Sequence, residues 1–234
     1  MNMLWWIFCG AAGLWIGMPN PVASFPAAAL LYPASLFLLG TGSTSWKHAF
    51  RLGWLCGLAG ASACLYWLAI PVHDFGGLPW ALAAPCPLLM GAYIGLYGGL
   101  FAALAHALRG EPAWRKGVAL GLGWHLMECF RGWFFTGFPW ITLASAFTPW
   151  TPVIQLASVI GAYGLGGLLA GLSCLCAEGI LRVRHPHALR KPLASGPGRF
   201  PCRSLSGCCL RRVFPLFCAF RPRRAVGILG AGQP

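Results

Sequence analysis

The chain has 234 residues, of which 58% are hydrophobic and only 9% are charged. Soluble domains carry about 25% charged residues, so this composition and a mean hydropathy of +0.67 exclude an ordinary soluble domain and predict several membrane spans. The net charge of +13 would suit a nucleic-acid-binding protein, but eleven of the seventeen basic residues follow Leu181. The other six lie mostly in short gaps between apolar runs, so we expect no nucleic-acid partner.

Six segments of the chain are apolar enough to cross a hydrocarbon core about 30 Å thick, which takes roughly 20 helical residues. We therefore predict an all-α membrane protein, a polytopic bundle of about six transmembrane helices within residues 1–184. Pro19-Asn20-Pro21 is typical of a turn, so the first two segments are interpreted as an uncleaved hairpin and not as a signal peptide. The six segments are residues 3–18, 21–40, 52–71, 84–108, 117–135 and 153–181.

The gaps between these segments alternate in charge, which predicts their orientation. Basic residues collect in the gaps after the second, fourth and sixth segments, and the positive-inside rule makes these gaps and the amino terminus cytoplasmic. The gap with Asp74 and the loop 136–152 then face the outside, which is the periplasm in a Gram-negative cell. The basic residues are Lys47, Arg51, Arg109, Arg115, Lys116, Arg182, Arg184, Arg190 and Lys191.

Small residues recur four apart on several segments. Lipid provides little hydrophobic drive between helices, so membrane helices pack through the close backbone approach that small residues permit. The pattern therefore predicts one compact bundle, and no internal repeat of the kind found in many transporters is visible. The small residues are Gly53, Gly57, Ala61, Gly91, Gly95, Gly99, Gly117, Gly121, Gly167 and Gly171.

Glu128 and Arg131 are charged residues near the end of the fifth segment, three apart and so on one face of a helix. A charge near the centre of a span costs about 2.5–3.5 kcal/mol on insertion scales. One interpretation is a charged patch at the outer mouth of the bundle, which holds a phospholipid headgroup or docks an outer domain. The other is a self-neutralising pair that only anchors the helix.

The residues after Arg131 favour the functional interpretation of the pair. Pro139 lacks an N–H donor and restricts Phe138 to extended geometry, so the helix should end before them. Trp133, Trp140 and Trp150 suit the headgroup layer, where tryptophan is an interface anchor by default. The candidate lipid-binding or domain-docking residues are Glu128, Arg131, Gly132, Thr136, Gly137, Phe138, Pro139 and Trp140.

A second candidate site is an outer loop in a glycine-rich turn, for which a solvated loop is the ordinary interpretation. Its residues are His73, Asp74, Gly76 and Gly77. His125 and Glu128 have the spacing of two metal ligands, but no further ligand is evident in the outer loops. We expect neither a metal nor another cofactor.

Residues 128–140 closely resemble the membrane-domain signature of bacterial apolipoprotein N-acyltransferases, and the resemblance extends over about residues 1–185. It is also specific at Tyr66-Trp67 and at residues 73–79, and it continues through residues 152–155 and 161–165. It implies a bundle of about eight spans in the inner membrane, with a periplasmic nitrilase-like domain between the last two. It also implies an enzyme that moves a phospholipid acyl chain onto a cysteine and then onto the α-amino group of a lipoprotein's diacylglyceryl-cysteine.

The chemistry that the resemblance implies depends on a Glu-Lys-Cys set in the nitrilase-like domain. No position of this chain matches that set, and the only lysines, Lys47, Lys116 and Lys191, lie in predicted cytoplasmic gaps. We therefore assign no catalytic residue and expect a membrane domain cut short before the catalytic domain, inactive alone. Membrane lipids and an apolipoprotein are its expected partners, with a separate catalytic chain if the gene is split.

Residues 185–234 are rich in Arg, Pro and Cys and carry no acidic residue. These residues depart from the family pattern from about His185 onward. Their composition predicts a disordered or poorly structured tail. One interpretation is an out-of-frame translation product, and the other is a genuine basic tail that binds anionic lipid. The alternative for the whole chain is a small polytopic transporter or scaffold protein.

Overall fold

A computed structural model describes residues 2–134 and 137–184, so Thr136 and the predicted tail, residues 185–234, lie outside the described residues. The described residues contain helices and connecting segments without a strand, which confirms the all-α prediction for this part. The α-helices are α1 (Met3–Gly17), α2 (Leu31–Gly42), α3 (Trp46–Cys64), α4 (Ala69–Asp74), α5 (Trp80–Ala83), α6 (Cys86–Ala107), α7 (Ala113–Trp133), α8 (Thr151–Ile154) and α9 (Ala157–Arg184). Short 3₁₀ helices lie at Pro26–Leu30, Tyr66–Leu68 and Leu143–Phe147.

Two helical stretches of the described residues are long and apolar enough to cross a membrane, Trp80–Ala107 and Ala157–Val183. Trp46–Cys64 and Tyr66–Asp74 form a third span if this pair, bent by 58°, is counted as one. Met3–Gly17 and Pro26–Gly42 are apolar but shorter. Length and hydropathy thus support two or three of the six predicted spans.

Helix α7 coincides with the fifth predicted segment but is less apolar than its neighbours. Its sequence contains His125, Glu128 and Arg131 in its second half and two basic residues in its first turn. These polar groups lower its mean hydropathy, which separates it from the stretches that could cross a membrane by composition alone. The burial of α7 in the bundle therefore depends on the contacts that other residues make with its charged side chains.

The helices approach one another most closely where the small residues recur, as the sequence predicts. A Cβ added at Gly57 of α3 would lie 2.8 Å from the Cα of Gly95 in α6. A Cβ added at Gly121 of α7 would lie 2.8 Å from the carbonyl oxygen of Gly167 in α9. The two backbones of each pair are therefore in direct contact. The facing pairs are Gly53 with Gly98, Gly57 with Gly95, Gly117 with Gly171, and Gly121 with Gly167, so both helix pairs are antiparallel.

Helix α2 is the central helix of the bundle. It packs against α1, α3, α6 and α9, and its side chains Leu36, Phe37 and Leu39 are fully buried. Large apolar side chains of the peripheral helices, such as Leu4 and Leu89, instead face outward and are exposed. An apolar outer surface of this kind is unfavourable against water and favourable against lipid, which agrees with a membrane protein.

One end of the bundle, which we call the basic end, collects the cationic side chains. Here Nη1 of Arg109, just after α6, lies 3.5 Å from the carbonyl oxygen of Ser43, just after α2. Buried Lys116 at the start of α7 places Nζ 2.6 Å from Oε1 of buried Glu178 in α9. Arg182 places Nη2 2.6 Å from the same oxygen. The carboxylate of Glu178 therefore joins α7 to the last turns of α9.

The opposite end, which we call the aromatic end, holds the tryptophans that follow α3 and α7. The rings of Trp67 and Trp140 have centroids 5.2 Å apart. Trp150 meets Phe25, which precedes α2, with centroids 6.3 Å apart. The cluster of Arg109, Lys116 and Arg182 and the ring contacts of Trp67, Trp140 and Trp150 thus lie at opposite ends of the helices.

The contact between α7 and α9 yields a test with a matched control in the same helix. We expect Gly171→Leu to destabilise the bundle, because a Cβ there would lie 2.7 Å from the carbonyl oxygen of Gly117. Overpacking of this kind costs about 1–3 kcal/mol. Gly179→Leu should leave stability unchanged or slightly raised, because no atom lies within 4 Å of its added Cβ. Thermal unfolding in detergent measures both variants, and equal midpoints would contradict the packing described.

Candidate functional site

The sequence after α7 turns back over the aromatic end of the bundle. Helix α7 ends at Trp133, and the backbone N–H of Phe138 donates to the carbonyl oxygen of Arg131 at 3.1 Å. Gly137 has a φ of +88°, a left-handed conformation that L side chains rarely adopt and that glycine accommodates. The predicted end of the helix is therefore made by a glycine turn ahead of Pro139. We call residues 137–150 the cap segment.

The carboxylate of Glu128 holds the cap segment to α7. Its Oε1 accepts a hydrogen bond from the backbone N–H of Leu143 at 2.9 Å, and the side chain is only 4% exposed. A hydrogen bond to an ionised acceptor is roughly twice as strong as one between neutral groups. Leu143 begins the 3₁₀ helix Leu143–Phe147, so the contact fixes the point where that helix starts.

The guanidinium of Arg131 holds the same stretch from the other side. Its Nη2 donates to the carbonyl oxygen of Ile141 at 3.3 Å and lies 3.9 Å from Oε1 of Glu128. Arg131 is 6% exposed, so the pair is buried and not open to solvent. The two side chains that the sequence places on one helix face thus meet the backbone of Ile141 and Leu143 together.

Ile141 has an unusual backbone conformation between these two contacts. Its φ is +57°, in the left-handed region, where a β-branched residue is a rare outlier. Such a conformation costs of the order of 1–3 kcal/mol and persists only where surrounding contacts determine it. The hydrogen bonds from Arg131 to Ile141 and from Leu143 to Glu128 are contacts of that kind.

Apolar side chains fasten the rest of the cap segment. Leu143 and Phe147 are fully buried, and Phe147 contacts Trp150 with ring centroids 5.7 Å apart. Phe138 is half-buried and lies 6.1 Å from the ring of Trp140. Pro139 and Trp140 are exposed near its start and Thr148, Pro149 and Trp150 at its end, so other molecules can reach the segment at both places.

Gly132 connects the site to α9. A Cβ added there would lie 3.1 Å from Cζ of Tyr163, so the absence of a side chain lets the tyrosine ring approach α7. Tyr163 follows Gly161, whose φ of +75° interrupts the helical backbone of α9 near its start. Two sequence motifs that are separated along the chain, residues 128–140 and 161–165, therefore meet at this point.

A small cavity of about 30 Å³ lies beside the Glu128 and Arg131 side chains. Its other walls come from α1, α2, α6, α7 and the cap segment, and they include Tyr32, Tyr97 and Trp124. Sequence reasoning missed these three aromatic residues, because nothing in their local pattern distinguishes them from packing residues. The cavity identifies them as neighbours of the ion pair.

The second predicted site, the loop of His73 and Asp74, is a separate structure at the end of α4. Nδ1 of His73 lies 2.7 Å from the carbonyl oxygen of Leu78, and its ring stacks on Trp80 with centroids 4.2 Å apart. Asp74 is exposed, as are Gly76 and Gly77, the latter with a φ of +66°. Within the described part of the chain, none of these side chains contacts Glu128 or Arg131.

Comparison with known proteins assigns this chain to a family. Residues 10–175 match the family model described as apolipoprotein N-acyltransferase N-terminal domain. The apolipoprotein N-acyltransferase of Geobacter metallireducens is 33% identical over 181 residues, which are 76% of this chain and 32% of the relative. That of Nitrosomonas europaea is 35% identical over 157 residues, 62% of this chain and 31% of the relative. The chain thus spans about a third of the length of the relatives it matches.

The matched residues include the whole of α7 and the cap segment, together with most of α9. They therefore contain every residue of the buried pair and its backbone partners. The resemblance inferred from the sequence motifs is confirmed over this region. The chain belongs to the apolipoprotein N-acyltransferase family, whose N-terminal domain it matches.

Proposed function

We propose that this chain serves as the membrane domain of an apolipoprotein N-acyltransferase in a bacterial inner membrane. The enzyme would transfer an acyl chain from a phospholipid to the amino-terminal diacylglyceryl-cysteine of lipoproteins. The observation that carries this proposal is the family match over residues 10–175, which contains the buried pair and the cap segment. The match favours this function over a small transporter or scaffold protein.

The proposed topology has six spans, with the amino terminus and the basic end in the cytoplasm. The collection of Arg109, Lys116 and Arg182 at one end supports this orientation. Helix α2 has only 12 residues, about 18 Å of helix at 1.5 Å per residue, which is shorter than the hydrocarbon core. Because its side chains are buried among other helices, it need not match the lipid thickness by itself.

In this proposal the acyl-transfer chemistry is carried out by residues outside the membrane domain. Acyl transfer through a cysteine needs a thiolate, a nearby base and a cation for the oxyanion. Of the described residues, Lys47 and Lys116 are the lysines, and Lys116 is paired with Glu178 at the basic end, far along α7 from Glu128. The described residues therefore offer no Glu-Lys-Cys set at the aromatic end.

We propose that the cap segment is the docking surface for the rest of the enzyme, meaning the two thirds of the relatives' length that this chain does not match. Glu128 and Arg131 would act through it, because both are buried against its backbone. A cavity of about 30 Å³ is too small for a phospholipid headgroup, which argues against direct headgroup binding by the pair. Exposed Pro139 and Trp140 would make the contact.

A chimeric enzyme tests the proposed function. Residues 10–175 would replace the matching segment of the Geobacter metallireducens relative in cells depleted of their own N-acyltransferase. We expect the chimera to N-acylate lipoproteins and the present chain alone not to do so, as read by mass spectrometry of a lipoprotein's amino-terminal peptide. A chimera that inserts and folds but transfers no acyl group would refute the membrane-domain role. Acyl transfer by this chain alone would refute the assignment of the chemistry to other residues.

The docking surface is tested in the same chimera by Trp140→Ala. We expect lipoprotein N-acylation to fall at least tenfold, because an exposed tryptophan at an interface carries much of the contact energy. Trp114→Ala is the matched control, since Trp114 is similarly exposed near the basic end. Equal activity of the two variants would remove the cap segment from the docking role. A loss of thermal stability in Trp140→Ala would assign its effect to the Trp67 contact instead.

The hydrogen bond between Glu128 and the cap segment is tested by hydrogen exchange. In Glu128→Ala the N–H of Leu143 loses its acceptor and Arg131 loses its counter-charge, and breaking a buried pair costs about 3–5 kcal/mol. We expect the Leu143 amide to exchange at least tenfold faster than in the unmodified chain, measured by mass spectrometry. Glu111→Ala should leave it unchanged, because Glu111 is exposed and its ion-pair partner among the described residues is Arg115, at 3.4 Å. Unchanged exchange in Glu128→Ala would contradict the contact.

A further inference from the structure

The cavity beside Glu128 and Arg131 combines a small volume with a charged pair in a mainly apolar wall. It lies where α1, α2, α6 and α7 meet the cap segment, and its volume is about 30 Å³. A cavity needs roughly 10–15 Å³ in this measure to hold one water molecule. It therefore has room for one or two water molecules and no room for a phosphate group or an acyl chain.

Three atoms of the lining residues lack a hydrogen-bond partner among the described residues. They are Oε2 of Glu128, Nε of Arg131 and Nε1 of Trp124, and none has measurable solvent-exposed area. Leaving a buried polar group unsatisfied is unfavourable, and more so when the group is charged. The carboxylate oxygen accepts hydrogen bonds and the two nitrogens donate them, and a water molecule can complement both roles.

The distance between Glu128 and Arg131 is also compatible with a water molecule in the cavity. Nη2 of Arg131 lies 3.9 Å from Oε1 of Glu128, which is beyond hydrogen-bond distance. A polar contact longer than about 3.5 Å is compatible with a water molecule between the two groups. The one negative and one positive side chain also balance each other, so the cavity favours a neutral ligand over a cation or an anion.

We propose that this cavity is a built hydration site, in which one or two ordered water molecules donate to Glu128 Oε2 and accept from Arg131 Nε. This site is independent of the proposed enzymatic function, because it rests only on the cavity and its lining. The water completes the hydrogen bonding of a charged pair whose remaining polar atoms have no partner among the described residues. It is thus a structural ligand of the aromatic end.

X-ray hydroxyl-radical footprinting of the full chain in lipid nanodiscs tests this proposal, because a bound water molecule is converted to a radical beside the side chains it touches. Leu14 and Leu143 line the cavity and are 3% and 1% exposed. Leu39 and Leu120 are 0% exposed and do not line it, so they are matched controls of the same residue type. We expect Leu14 and Leu143 to be oxidised at least tenfold faster than Leu39 and Leu120. Equal rates in the unmodified chain would overturn the proposal.

A filling variant shows whether the labelling comes from this cavity. Ile94 lines it from α6, and Ile94→Phe should displace the water and bring the oxidation of Leu14 and Leu143 down to that of the controls. Unchanged fast oxidation in this variant would overturn the assignment to the cavity. Faster oxidation at all four leucines would reveal misfolding, and the smaller change Ile94→Met then decides by the same comparison.

Discussion

The carboxylate of Glu128 is the group on which the aromatic end of the bundle depends. It is buried in an apolar environment, where an ionised group is stable only with hydrogen bonds and a counter-charge. The backbone N–H of Leu143 and the guanidinium of Arg131 provide these. The same contacts fix the start of the 3₁₀ helix and the left-handed backbone of Ile141. The end of α7, the ion pair and the cap segment therefore form one cooperative unit.

Close helix packing makes this burial possible. The glycines between α7 and α9 bring the two backbones into contact, and Gly132 admits the ring of Tyr163 beside the site. A second buried carboxylate, Glu178, binds Lys116 at the basic end of the same two helices. The pair α7 and α9 thus has one buried acid near each end, with small residues between them. Electrostatic contacts determine the two ends, and van der Waals contacts determine the middle.

Local sequence patterns predicted the helical segments, the small-residue faces and the placement of Glu128 and Arg131 on one face. Each of these follows from helical periodicity or backbone sterics, which short segments encode. The partners of the buried groups could not be predicted in this way. Lys116 and Glu178 are 62 residues apart, and Glu128 binds a backbone N–H, which leaves no trace in residue type. The convergence of Tyr32, Tyr97 and Trp124 likewise depends on how three helices are assembled. The lipid or docking role of the candidate residues stays a prediction.

The low hydropathy of α7 has a consequence for biogenesis. A helix with Glu128 and Arg131 near one end and Lys116 near the other partitions poorly into lipid by itself. Most of the side chains that cover the ion pair, from α1, α2 and α6, are synthesised earlier, whereas the backbone of Leu143 and the carboxylate of Glu178 emerge later. For the proposed six-span topology, we therefore expect the departure of α7 from the translocation channel to be coupled to tertiary assembly. Leu143 follows Trp133, the last residue of α7, by 10 residues and Glu178 follows it by 45, so both contacts form only after that much more of the chain has been translated.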